Sequence, residues 1–128
     1  MKRFAIPLIL AAMFVAAPAQ AKLRVFACEP EWASLLQELA GDKIDVDVAT
    51  TALQDVHVVE AKPSLIAKVR AADLAVCTGA ELEVGWLPQL IRQSGNTRIA
   101  SGAGSFSAAM QVKRLEVLLV QAKASTDS

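Results

Sequence analysis

The stretch Lys22-Leu23-Arg24-Val25-Phe26-Ala27-Cys28-Glu29-Pro30-Glu31-Trp32-Ala33-Ser34-Leu35-Leu36-Gln37-Glu38-Leu39-Ala40-Gly41-Asp42-Lys43-Ile44-Asp45-Val46-Asp47-Val48-Ala49 decides the fold class. Lys22–Ala27 alternates and carries Leu, Val and Phe, so it predicts a first strand. Pro30 suits the first turn of a helix, with Glu29 and Glu31 near the positive end of its dipole. Trp32, Leu35, Leu36 and Leu39 then recur at helical spacing up to Gly41. Ile44–Ala49 returns to the two-residue period and predicts a second strand.

The same alternation continues outward. After a loop, Pro63 and Ser64 open a second helix, with Leu65, Ile66, Val69 and Ala72 on its apolar side. Leu74–Cys77 predicts a third strand ending at Thr78-Gly79. Leu82–Gln93 has a helical pattern, with Leu82, Trp86 and Leu90 inward and Pro88 as a kink or a new start. Ser94-Gly95-Asn96 stops it, and Thr97–Ala100 is assigned as strand four. Strand and helix in turn predict an α/β fold: a four-stranded parallel sheet with right-handed crossover helices. In the order 2-1-3-4, Cys28 and Cys77 both lie near the carboxyl ends of neighbouring strands. Ser101–Ser105 has a linker composition. Ala108–Val120 has helical propensity in places, and Ala122–Ser128 is a polar end.

The first residues predict an export signal. Lys2 and Arg3 precede an apolar run, Phe4–Ala17, too short for a typical membrane span, and Ala19-Gln20-Ala21 is a small-x-small cleavage site. Residues 1–21 are therefore expected to be a cleaved signal peptide and the product periplasmic. Residues 22–117 are expected to form one α/β lobe, and residues 118–128 an irregular tail. The 128 residues carry 13 basic and 13 acidic side chains, a balance that offers no electrostatic case for nucleic acid.

His57 is the single histidine. It sits in a loop leaving the carboxyl end of a strand, where α/β folds place ligands, and a neutral imidazole is a common zinc ligand. A lone histidine is nevertheless more often a surface or packed side chain than a ligand. Asp55, Glu60, Glu81 and Glu83 are carboxylates in the same region, Glu60 reading as a surface group and Glu81 and Glu83 as a solvated helix start. Cys28 and Cys77 are the only cysteines. In an oxidising compartment they are disulfide candidates; reduced, they would offer thiolates for a mixed site with His57. Trp32 and Trp86, each among leucines, are expected in the core.

Three segments together, Val25–Trp32, Gln54–Leu65 and Ala72–Glu83 with Trp86-Leu87, resemble the periplasmic metal-binding subunits of bacterial ABC importers for zinc and manganese. The resemblance covers about Leu23–Ala100. It implies a protein of two α/β lobes that clamp one metal ion, here zinc with manganese as an alternative, and pass it to permease subunits in the inner membrane. It places His57 as the first metal ligand. Val56 departs from the proline usual before that histidine, which leaves the loop less preorganised by about 0.5–1 kcal/mol. The resemblance fades after about Val117, so the chain reads as one lobe of a longer design, expected to transport little by itself.

The residues also bear on two other classes of function. A thiol oxidoreductase lacks a Cys-x-x-Cys pair, and no nucleophile triad, phosphate loop or metalloprotease motif is present, so the expectation is no enzyme. An exported interaction domain stapled by Cys28–Cys77 is the alternative to a metal-binding protein. Such a staple would contribute about 3–4 kcal/mol in the chain-entropy model.

Overall fold

Period-two alternation dictates which side chain of each strand meets which helix layer. In the computed structural model, which describes residues 19–112, strand β1 (Leu23–Ala27) turns Phe26 to one face and Val25 to the other. Helix α1 (Pro30–Ala40) leads through a single 3₁₀ turn to β2 (Ile44–Val48). Helix α2 (Pro63–Ala71) precedes β3 (Leu74–Cys77), α3 (Leu87–Ser94), α4 (Thr97–Ala100) and β4 (Ser105–Ser107). The sheet is parallel throughout, in the order β2-β1-β3-β4. The α/β class and the β2-β1-β3 order thus agree with the sequence expectation.

Phe26, Cys28, Ala75 and Cys77 share a core with Val69 of α2, Leu90 of α3 and Ile99 of α4. Val25, Ile44 and Val76 form a second cluster with Trp32 and Leu36 of α1. The central strands are therefore buried on both faces, as parallel sheets require. Helices α1 and α2 start on Pro30 and Pro63, and α3 carries Pro88 at its second position, because the absent N–H is one no helix start can satisfy internally. Trp86 is buried as expected, whereas Trp32 is half-buried. Leu35 and Leu39, expected inward, are exposed at the rim of an apolar groove of about 310 Å³ that Trp32, Leu74 and Phe106 also line.

Three expectations need correction. Thr97–Ala100 is a helical turn and not strand four. Asn96 caps it, its Oδ1 accepting from the backbone N–H of Arg98 and Ile99 at 3.2 and 3.3 Å, and that local satisfaction outcompetes a short strand. The fourth strand is Ser105–Ser107, paired with Ala75–Cys77. Ser101–Ser105 is accordingly no free linker. Gly104 is buried, its carbonyl accepts from Ala75 N–H at 2.7 Å, and an added Cβ would lie 2.8 Å from the Asp73 carbonyl oxygen. Finally, the third helix starts at Leu87 rather than Leu82. Ala80 and Glu81 hold positive φ angles of 51° and 69°, which no helix accommodates. The predicted leader through Pro18 and the tail 118–128 lie outside the described residues.

Candidate metal centre

The loop after β2 begins tethered to the sheet. Ala49 N–H donates to the Ala27 carbonyl at 2.8 Å, and the buried Thr50 hydroxyl donates to the Cys28 carbonyl at 2.8 Å. Its far side is pinned by Trp86, whose indole N–H donates to the Val56 carbonyl at 2.7 Å. Val59 inserts into the core. Between these anchors His57 stands out into solvent, with its side chain 65% exposed.

Asp55 orients that ring. Its Oδ1 accepts from His57 N–H at 2.9 Å and lies 2.9 Å from His57 Nδ1. The backbone hydrogen bond from His57, followed by the side-chain one, holds the Asp55 carboxyl below its ordinary value. An ionised Asp55 favours a proton on Nδ1 and leaves Nε2 with its lone pair outward, the arrangement of a carboxylate-oriented metal-binding histidine. Glu60 is exposed and sits 3.9 Å from Lys62 Nζ.

At the ends of β1 and β3, Cys28 and Cys77 are joined by a disulfide, with Cα atoms 4.9 Å apart. Adjacent parallel strands set that spacing, and Cys28 N–H donates to the Val76 carbonyl at 2.9 Å. The cysteines therefore pair as a bond, and the ligand-type side chain beside them is Glu83, not His57. Glu83 was expected to be solvated; it is 3% exposed. Its oxygens accept from Thr78 N–H at 2.8 Å and from Gly79 N–H at 3.0 Å. The strained turn at Ala80-Glu81 folds Glu83 back over the end of β3, whereas Glu81 itself stays exposed.

Glu29 is the residue that sequence reasoning missed. It read as a dipole partner for α1, yet it is 3% exposed and lies against Glu83. Burial, then the hydrogen bond and charge of Glu83, raise its carboxyl to about 8, against a smaller opposing effect of Thr78. Thr78 Oγ1 donates to Glu29 Oε2 at 3.1 Å and accepts from the Trp32 indole at 2.8 Å. The signal was the position itself, one residue beyond a strand end and beside a buried cysteine.

With this geometry in view, comparison with known proteins places the chain. Residues 25–124 match the family model ZnuA, zinc-uptake complex component A, periplasmic. The chain belongs to this family. The match runs past Val117, further than the segments that carry the resemblance. A manganese ABC transporter substrate-binding lipoprotein, PsaA, of Streptococcus anginosus is 34% identical over 79 residues, covering 59% of this chain and 26% of its own. PsaA of Streptococcus pneumoniae matches to the same extent. The crystal structure of ZnuA superposes with a TM-score of 0.60 at 22% identity, covering 75% of this chain and 35% of that one. The metal-dependent lipoprotein YcdH from Bacillus subtilis does so with a TM-score of 0.57 at 24% identity, covering 76% and 34%. The chain thus spans about a quarter of the curated relatives it matches. Those relatives are named as substrate-binding transport proteins, not as enzymes.

Proposed function

We propose that this chain is the N-terminal metal-binding lobe of a periplasmic solute-binding protein, carrying a divalent metal ion as cargo for an ABC importer. Zinc is the proposed cargo and manganese the alternative. Residues 1–21 would direct export and be removed, and the delivery partner would be permease subunits of the inner membrane.

The observation that carries this reading is the His57–Asp55 pair. A metal-binding imidazole needs a free nitrogen outward and a fixed tautomer behind it, and Asp55 supplies the second at 2.9 Å. The exposure of His57 suits a ligand that meets its ion at a surface shared with further ligands. Imidazole is well suited to zinc, whereas a carboxylate-rich remainder would favour manganese.

Calorimetry of the disulfide-bonded chain with zinc, and separately with manganese, tests the reading. One zinc per chain is expected, with His57→Ala weakening it at least a hundredfold, about 2.7 kcal/mol. Equal binding by wild type and His57→Ala would overturn the assignment.

A further inference from the structure

A second group of metal-ligating atoms lies in the described residues and owes nothing to His57. Cys28 Sγ, Cys77 Sγ and a Glu83 carboxylate oxygen lie within 4.8 Å of one another, and all three side chains are buried. A structural disulfide has no need of a buried carboxylate beside it. The neighbouring Glu29 adds a second observation: its Oε1 is buried and accepts from no N–H or hydroxyl donor among the described residues. Glu29 lies against Glu83, so two carboxyl groups face each other in a buried place. Such a pair can be held by a shared proton or by a cation.

We propose that, once the Cys28–Cys77 bond is reduced, Cys28, Cys77 and Glu83 hold one soft divalent cation of the zinc or cadmium class. Three protein ligands leave the fourth tetrahedral position to water or to the neighbouring Glu29 carboxyl. The three need little movement. A tetrahedral zinc with bonds of about 2.3 Å sets its two sulfurs roughly 3.8 Å apart, close to the contact distance of two unbonded sulfurs. The strands stay where they are, because the 4.9 Å between the Cα atoms belongs to the β1–β3 ladder. Glu83 is already oriented by the N–H groups of Thr78 and Gly79.

The bond and the ion are mutually exclusive, which makes the site redox-gated. A phosphine attacks one sulfur and the S–S electron pair leaves on the other. Water gives its oxygen to the phosphine oxide and its two protons to the sulfurs. Cation binding displaces those two protons. A small organic disulfide reverses the process: with two protons it accepts the two electrons, leaves as two thiols, re-forms Cys28–Cys77 and releases the ion.

The test is cadmium titration of the purified chain, oxidised and phosphine-reduced, followed by the sulfur-to-cadmium ultraviolet band, by circular dichroism and by thermal melting. The proposal expects the band only after reduction, saturating at one cadmium per chain, with a melting temperature raised by cadmium in the reduced protein alone. Cys28→Ser and Cys77→Ser should abolish the band. Glu83→Gln should weaken cadmium at least tenfold, and His57→Ala should leave the band in place. A reduced chain without the band overturns the proposal, as does one that stays unfolded when cadmium is added. So does a band whose affinity ignores Glu83→Gln, which would mark loose capture by two thiols.

Discussion

Glu29 and Glu83 show how far one side chain can depart from what its neighbours in sequence suggest. Both carboxyls are 3% exposed, and burial beside Glu83 raises Glu29 to about 8. The folded chain therefore keeps a proton that the unfolded chain releases near pH 4.5. Between these values folding takes up a proton, so stability is greatest below the lower one. It falls as pH rises and levels off above about 8, with a slope of at most about 1.4 kcal/mol per pH unit. Melting of the disulfide-bonded protein from pH 5 to 9 is expected to show that decline, and Glu29→Gln to flatten it. An equal slope in wild type and variant would refute the assignment. Asp55 makes the second residue-level prediction. Asp55→Ala removes the acceptor behind His57 and is expected to weaken zinc tenfold to a hundredfold without unfolding the chain, as calorimetry would read. The candidate role of His57 was open to sequence reasoning because a family pattern surrounds it. The Glu29–Glu83 contact was not, because it joins side chains from two different strand ends.

Between elements, Asn96 is a joint rather than a stop signal. Its Oδ1 caps α4, and its Nδ2 donates to the carbonyls of Val69 and Ala72 at 2.8 Å each, tying the end of α2 to the α3–α4 turn. Asn96→Ala is expected to cost about 2–3 kcal/mol in urea unfolding. Asn96→Asp keeps the acceptor but loses the donor, so it should remain destabilised; full recovery would mean that the cap alone matters. Gly104 is the same lesson in packing. An alanine there meets the Asp73 carbonyl oxygen at 2.8 Å and Arg98 Cγ at 2.9 Å, and Gly104→Ala is expected to cost about 1–3 kcal/mol. Composition made this segment look like a linker, and only the approach of β4 to β3 shows why it is glycine.

Across the whole molecule the Cys28–Cys77 bond closes a loop over 49 residues and locks β1 to β3 at the edge from which the His57 loop leaves. In the chain-entropy model it contributes roughly 4 kcal/mol. Reduction without added metal is therefore expected to lower the melting temperature by roughly 15–30 °C, and a shift of a few degrees would show that the β1–β3 ladder is self-sufficient. The apolar groove beside Trp32 and Phe106 lies on the opposite face of the sheet from the α2–α3 core.

The parallel α/β sheet and its 2-1-3 core order were legible in the chain itself, and Cys28 and Cys77 were legible as candidates for pairing. Periodicity, prolines at helix starts and turn residues are local signals, and short parallel crossovers leave few topologies open. The place of β4, the late start of α3 and the burial of Glu29 and Glu83 were decided by tertiary structure. The strand needs Ala75–Cys77 and Glu29 needs the end of β3, both far away in sequence, whereas the positive φ angles of Ala80 and Glu81 delay α3 and fold Glu83 back onto Thr78 and Gly79. Polar groups buried in this way are held by whatever donor or ion the fold delivers to them, and no local pattern announces which one that is.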